Sequence, residues 1–108
     1  MNSAKSKGVV NGVRFDADAM ARLCLKFCIR RLALFGSRLK GTARPDSDID
    51  LLVEFEPGRE PGLVGLSGME IELARVFGGA KVDLRTAEDL SPRFREQVLH
   101  SARVVYAA

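Results

Sequence analysis

The sequence predicts a small α/β domain, built as a short mixed β-sheet with helices packed on one face. Three observations predict it. Residues 16–28 and 64–77 carry apolar side chains at helical spacing. Three short segments, 29–35, 49–55 and 81–86, read instead as strands. The chain has 108 residues, enough for one compact domain and too few for two. The expected organisation is a flexible polar tail over residues 1–14, then a single domain over 15–108.

Each element has a local reason. Asp16 can cap a helix running to about Phe27 or Cys28, with Met20, Leu23, Cys24 and Phe27 on its buried face. Leu32-Ala33-Leu34-Phe35 is a short apolar run ending at Gly36, which suits a buried strand better than a continued helix. Ser37 can cap a short helix through about Leu39. Residues 41–47 hold Gly, Thr, Pro, Asp and Ser and read as a loop. In 49–55, Ile49, Leu51, Val53 and Phe55 fall on one face, and Asp50, Leu52 and Glu54, preceded by Asp48, fall on the other. After a Pro- and Gly-rich loop, Leu66, Met69, Leu73, Val76 and Phe77 form a helical stripe ended by Gly78-Gly79. Val82 and Leu84 flank Asp83 on a second short strand. Thr86 or Ser91 can start further helical turns, and Pro92 suits the first turn of a helix reaching about Leu99. Residues 102–106 are apolar and fit either a last helical turn or an edge strand.

Composition excludes several classes. No run of about 18 apolar residues exists, so no membrane-spanning helix is expected. The first seven residues are polar and basic and lack the apolar centre of a signal peptide, so a cytoplasmic location is expected. The net charge of +3 suits a nucleic acid, a nucleotide, an acidic partner or simply a solvated surface. With one tyrosine and no tryptophan, base-stacking platforms are scarce and nucleic acid is not the expected partner. Cys24 and Cys28, i and i+4 on the expected helix, read as small apolar residues near a core face. A zinc site would need two further ligands, and His100 is the only histidine.

The chemistry concentrates in two places. Asp48 and Asp50 alternate at a strand's start, so both carboxylates project to one face about 7 Å apart. Asp is a poor strand former, and two like charges so placed repel unless a cation lies between them. If the 81–86 strand pairs beside 49–55, Asp83 joins them, and three carboxylates on one face can hold two Mg2+ ions against a phosphate-bearing substrate. Upstream, Gly36 lets the backbone approach a ligand closely, and Ser37 offers a hydroxyl and an N–H at a helix start, a setting that favours anions. Arg38 and Lys40 can add positive charge or be ordinary surface residues.

The stretch LFGSRLKGTARPDSDIDLLVEF, residues 34–55, with a later Val-Asp-Leu, closely resembles the minimal nucleotidyltransferases of the DNA polymerase β superfamily. Ten residues separate Gly-Ser from Asp-x-Asp, as the family's signature has them. The resemblance implies that Gly36 and Ser37 hold a triphosphate, with Arg38 beside them. It implies that Asp48 and Asp50 bind both metals, and that Asp83 completes one metal site and helps deprotonate an acceptor hydroxyl. The implied reaction is attack of a hydroxyl on a nucleotide's α-phosphorus with release of pyrophosphate, and ATP is the implied nucleotide. A chain with no added substrate-gripping domain resembles the antitoxin of a toxin–antitoxin pair, whose usual partner is a helical HEPN-domain ribonuclease toxin. In that family AMP goes to a toxin tyrosine, and homo- or hetero-oligomers are possible. Two other readings stay open: an antitoxin that neutralises by binding alone, and a nucleotide- or nucleic-acid-binding module. Arg95 and His100 have the spacing of the HEPN ribonuclease motif itself, but the helices of that fold are missing, and a surface coincidence is the expected reading.

Overall fold

The N-terminal segment departs most from its expected form. In a computed structural model, which describes residues 7–40 and 48–108, the anticipated tail over 1–14 is in large part a β-hairpin. Strand β1 (Lys7–Val10) pairs antiparallel with β2 (Val13–Asp16). Asn11 and Gly12, both at positive φ, make the two-residue turn. The first six residues, residues 41–47, expected as a loop, and the Lys7 and Lys40 side chains lie outside the described residues. The hairpin is held by burial: Val13 and Phe15 enter the core, and the Phe15 ring lies 5.6 Å from that of Phe77.

Helix α1 (Ala17–Lys26) follows directly. The Asp16 carboxylate accepts the Ala19 N–H at 3.0 Å, satisfying one of the free donors of the first turn. Asp16→Ala is expected to cost about 1 kcal/mol. For a domain of this size that is a drop of about 4–8 °C in Tm, read by a thermal melt. An unchanged melt would show that the cap contributes nothing. Cys28 does not belong to this helix. It lies two residues past the last turn, at φ +56°, so the i, i+4 relation with Cys24 is not one of helical neighbours.

The central sheet has the order β5-β4-β3-β6, formed by β3 (Ile29–Phe35), β4 (Ile49–Phe55), β5 (Val82–Arg85) and β6 (Arg103–Ala107). β3 runs antiparallel to both β4 and β6, whereas β4 and β5 are parallel, so the sheet is mixed as expected. The 102–106 segment is thus an edge strand and not a helical turn. The parallel β4–β5 crossover is made by α3 (Leu63–Val76). One sheet face, carrying Leu32, Leu34, Ile49, Leu51 and Val53, packs on Met20, Leu23 and Cys24 of α1 and Met69, Leu73 and Val76 of α3.

The opposite face is not bare, which corrects the expectation of helices on one side only. A 3-10 turn (Ala87–Asp89) leads into α4 (Pro92–Ser101), and Leu90 and Val98 pack over Ala33, Phe35 and Leu52. Leu52, expected among the polar residues of its strand, is therefore buried. Arg95 clamps this corner: its Nε donates to the Ala87 carbonyl at 2.6 Å and its Nη2 to the Leu90 carbonyl at 3.1 Å. Its role is structural, and His100 on the same helix is exposed. No helix among the described residues is long and apolar enough to cross a membrane.

Candidate active site

β4 and β5 run parallel in a register that sets Asp50 directly beside Asp83. Neighbouring strands lie about 4.8 Å apart, so the two carboxylates leave one face as close neighbours. On the other side Asp50 is paired with Phe35, the residue before Gly36. Asp50 is half-buried, and burial raises its pKa first, with the charges of Asp83 and then Asp48 adding to the rise and Arg85 opposing it. Two nearby anions and a poorly hydrated site both disfavour a third negative charge.

Gly36 closes the cluster from above. It has φ +82°, and a Cβ there would overlap the Asp50 carboxylate, lying 3.0 Å from its Cγ. Only glycine lets the backbone pass this near the acid. Helix α2 (Ser37–Lys40) starts at the next residue, and the Leu39 N–H bonds back to the Gly36 carbonyl at 3.1 Å. Ser37 is the first helical residue and not the cap preceding it. One turn of helix has little macrodipole, so attraction for an anion here rests on the free N–H groups more than on the dipole. Arg38 follows, half-buried.

The structure thus brings Gly36, Asp50 and Asp83 together, with Asp48 two residues before Asp50 and more exposed. It also adds two cations that sequence reading did not single out. Lys81 Nζ lies 3.9 Å from Asp48, and Arg85 Nη2 lies 3.3 Å from Asp83. Strand alternation carried the signal: Lys81, Asp83 and Arg85 are spaced by two and share a face. Glu70 on α3 was missed as well. It accepts the Leu84 N–H at 2.8 Å and so fixes the backbone next to Asp83.

Among the described residues no three His, Cys, Asp or Glu side chains converge as a preformed metal cage would. Asp48 and Asp83 are turned toward Lys81 and Arg85, and both ion pairs are solvent-exposed and weak. The donor set still fits a hard divalent cation: the ligands on offer are carboxylate oxygens, and a cation would offset the burial and the repulsion that together raise Asp50. Cys24, whose thiol burial pushes up to about 12, is no nucleophile.

Comparisons with known proteins bear on the family and the fold. The nucleotidyltransferase domain family matches residues 19–105. Protein adenylyltransferase MntA of Thermococcus cleftensis is 36% identical over 81 residues, 75% of this chain and 77% of that protein. The Methanocaldococcus jannaschii protein MJ0435 is 34% identical over 80 residues, 74% of this chain and 83% of that one. A toxin–antitoxin crystal structure with AMP-PNP superposes with a TM-score of 0.67 at 21% identity, covering 86% of this chain and 74% of that one, which is a likeness of fold. Because that family model spans residues 19–105, most of the chain, this protein belongs to the nucleotidyltransferase domain family.

Proposed function

We propose that this protein is a Mg2+-dependent protein adenylyltransferase that transfers AMP from ATP to a hydroxyl on a HEPN-type toxin, and so acts as its antitoxin in the cytoplasm. The observation that carries the reading is the Asp50–Asp83 register under Gly36. It joins a place for phosphates to a place for the cation that accompanies them. The similarity to MntA of Thermococcus cleftensis supports adenylyl transfer to a protein. The likeness in fold to the MntA–HepT toxin–antitoxin structure (TM-score 0.60, 18% identity, 85% of this chain and 70% of that one) is consistent with a toxin as recipient.

Gly36, Ser37 and Arg38 would hold the triphosphate, and Asp48, Asp50 and Asp83 would hold as many as two metal ions. Bound there, the metal supplies charge neutralisation at the phosphates and polarises the reacting oxygens. The acceptor oxygen attacks the α-phosphorus, a new P–O bond forms, and the bond to the bridging oxygen of the β-phosphate breaks to release pyrophosphate. Asp83 takes the hydroxyl proton. The protein's contribution is chiefly positioning and electrostatics.

Incubation with α-labelled ATP, Mg2+ and the adjacent gene's product tests this. Labelled toxin with the wild type and none with Asp48→Asn is the expected result. Toxin neutralisation that survives Asp48→Asn and Asp50→Asn together would favour an antitoxin that acts by binding alone.

A further inference from the structure

A cleft of about 370 Å3 opens beside Gly36, between the hairpin turn, α2 and α4. Asn11, Phe35, Gly36, Phe94, Gln97 and Arg103 are among its lining residues. Because Phe35 and Asp50 are register partners, the cleft lies on the same sheet face as the acids. Its size is that of a small-molecule site.

The lining is specific in character. Phe94 and Phe35 form a T-shaped pair, with ring centroids 6.3 Å apart, yet Phe94 remains 41% exposed. An aromatic ring held by a neighbouring ring but left partly open to solvent can receive a planar ligand. Phe94 and Gln97 are three residues apart on α4 and so neighbours on its surface. Gln97 and Asn11 bring carboxamides, each both donor and acceptor. Asn11 is pinned in place, its Nδ2 donating to the Leu39 carbonyl at 3.3 Å. Among the described residues of the lining, Arg103 is the charged one and none is a carboxylate.

We propose that this cleft receives the nucleoside end of the nucleotide, with an adenine base stacked on Phe94 and its amino edge met by the carboxamide of Gln97. This rests on the nucleotide site proposed above. A carboxamide can pair with adenine by one donor and one acceptor, as Gln and Asn do in nucleic-acid recognition. Guanine's N1–H and amino group would call for an acceptor-only carboxylate, and none is among the described residues that line the cleft. The hairpin that replaces the expected tail is then part of the site, because its Asn11 walls the cleft.

Equilibrium binding of ATP, GTP and inorganic tripolyphosphate, each with Mg2+, provides the test. Phe94→Ala is expected to weaken ATP by about tenfold or more. It should leave tripolyphosphate unchanged, and Phe94→Tyr should bind ATP as the wild type does. Gln97→Ala should narrow the preference for ATP over GTP. Both positions are exposed, so neither variant should unfold the chain. An ATP affinity that Phe94→Ala does not change, or an equal loss for ATP and tripolyphosphate, would overturn the assignment. If ATP binding holds while labelling of the toxin falls, the cleft belongs to the acceptor and the proposal is wrong. Wild-type protein that binds neither ATP nor tripolyphosphate would remove the nucleotide site itself, and this inference with it.

Discussion

Asp50→Asn is expected to reduce adenylyl transfer by about a thousandfold or more while leaving the metal-free protein at least as stable as before. The activity loss follows from the position of Asp50 at the centre of the cluster, between Asp83 on β5 and Gly36. Removing a charge that, in the proposed function, would hold the metal forfeits several kcal/mol of transition-state stabilisation, and each 1.36 kcal/mol is a factor of ten. The stability effect has the opposite sign for a stated reason. The folded pKa of Asp50 lies above its ordinary value, so the folded protein holds this proton more tightly than the unfolded chain does. Folding stability from this group is greatest below the ordinary carboxylate pKa. It falls as pH rises toward the elevated folded pKa and stays lower above it. Asparagine carries no charge and escapes that loss. Thermal melts in chelator, at acid and neutral pH, should show the wild type losing part of its advantage as pH rises, and Asp50→Asn losing less. Added Mg2+ should raise the wild-type Tm at neutral pH and the Asp50→Asn Tm little. A variant that melts well below the wild type in chelator would contradict this account of Asp50.

Gly36→Ala should impair both folding and catalysis. At φ +82° an alanine costs about 1 kcal/mol or more in backbone strain. The added Cβ would also displace the Asp50 carboxylate, and misplacing a reacting group by about 1 Å can cost a hundredfold in rate. We expect a Tm lower by about 5 °C or more and transfer reduced by at least about a hundredfold. Gly58 also has positive φ, but nothing lies within 4 Å of a Cβ built there. Gly58→Ala should thus lower Tm through strain and leave transfer intact. If both variants lost activity equally, overlap with Asp50 would not be the cause.

Much of this was legible because the signals are local. Asp16 announced the start of α1 by its cap, and Ile49–Phe55 announced β4 by alternation. Where the reading failed, the missing information was either overlooked or non-local. The Asn11-Gly12 pair between Val10 and Val13 is a strong hairpin signal, hidden by the polar composition of the residues before it. Leu52 was placed with the polar residues because nothing near it in sequence reveals that Leu90 and Val98 come to cover it. Lys81 and Arg85 share a face with Asp83 by simple alternation, yet only the pairing of β5 with β4 makes them partners of the acids.

The sequence by itself determined the inventory of the site: a glycine-serine turn, two acids in alternation and a third on a later short strand. Alternate residues of an extended chain project to one side, so reading 49–55 as a strand was enough to expect Asp48 and Asp50 on one face. Tertiary structure alone decided that Asp83 stands in register with Asp50, because parallel pairing depends on how α3 carries the chain across the sheet. It also decided that Gly36 lies against Asp50, and that the hairpin and α4 wall a cleft beside them. Those juxtapositions join residues far apart in the chain, and they follow from burial of the two apolar faces of one sheet.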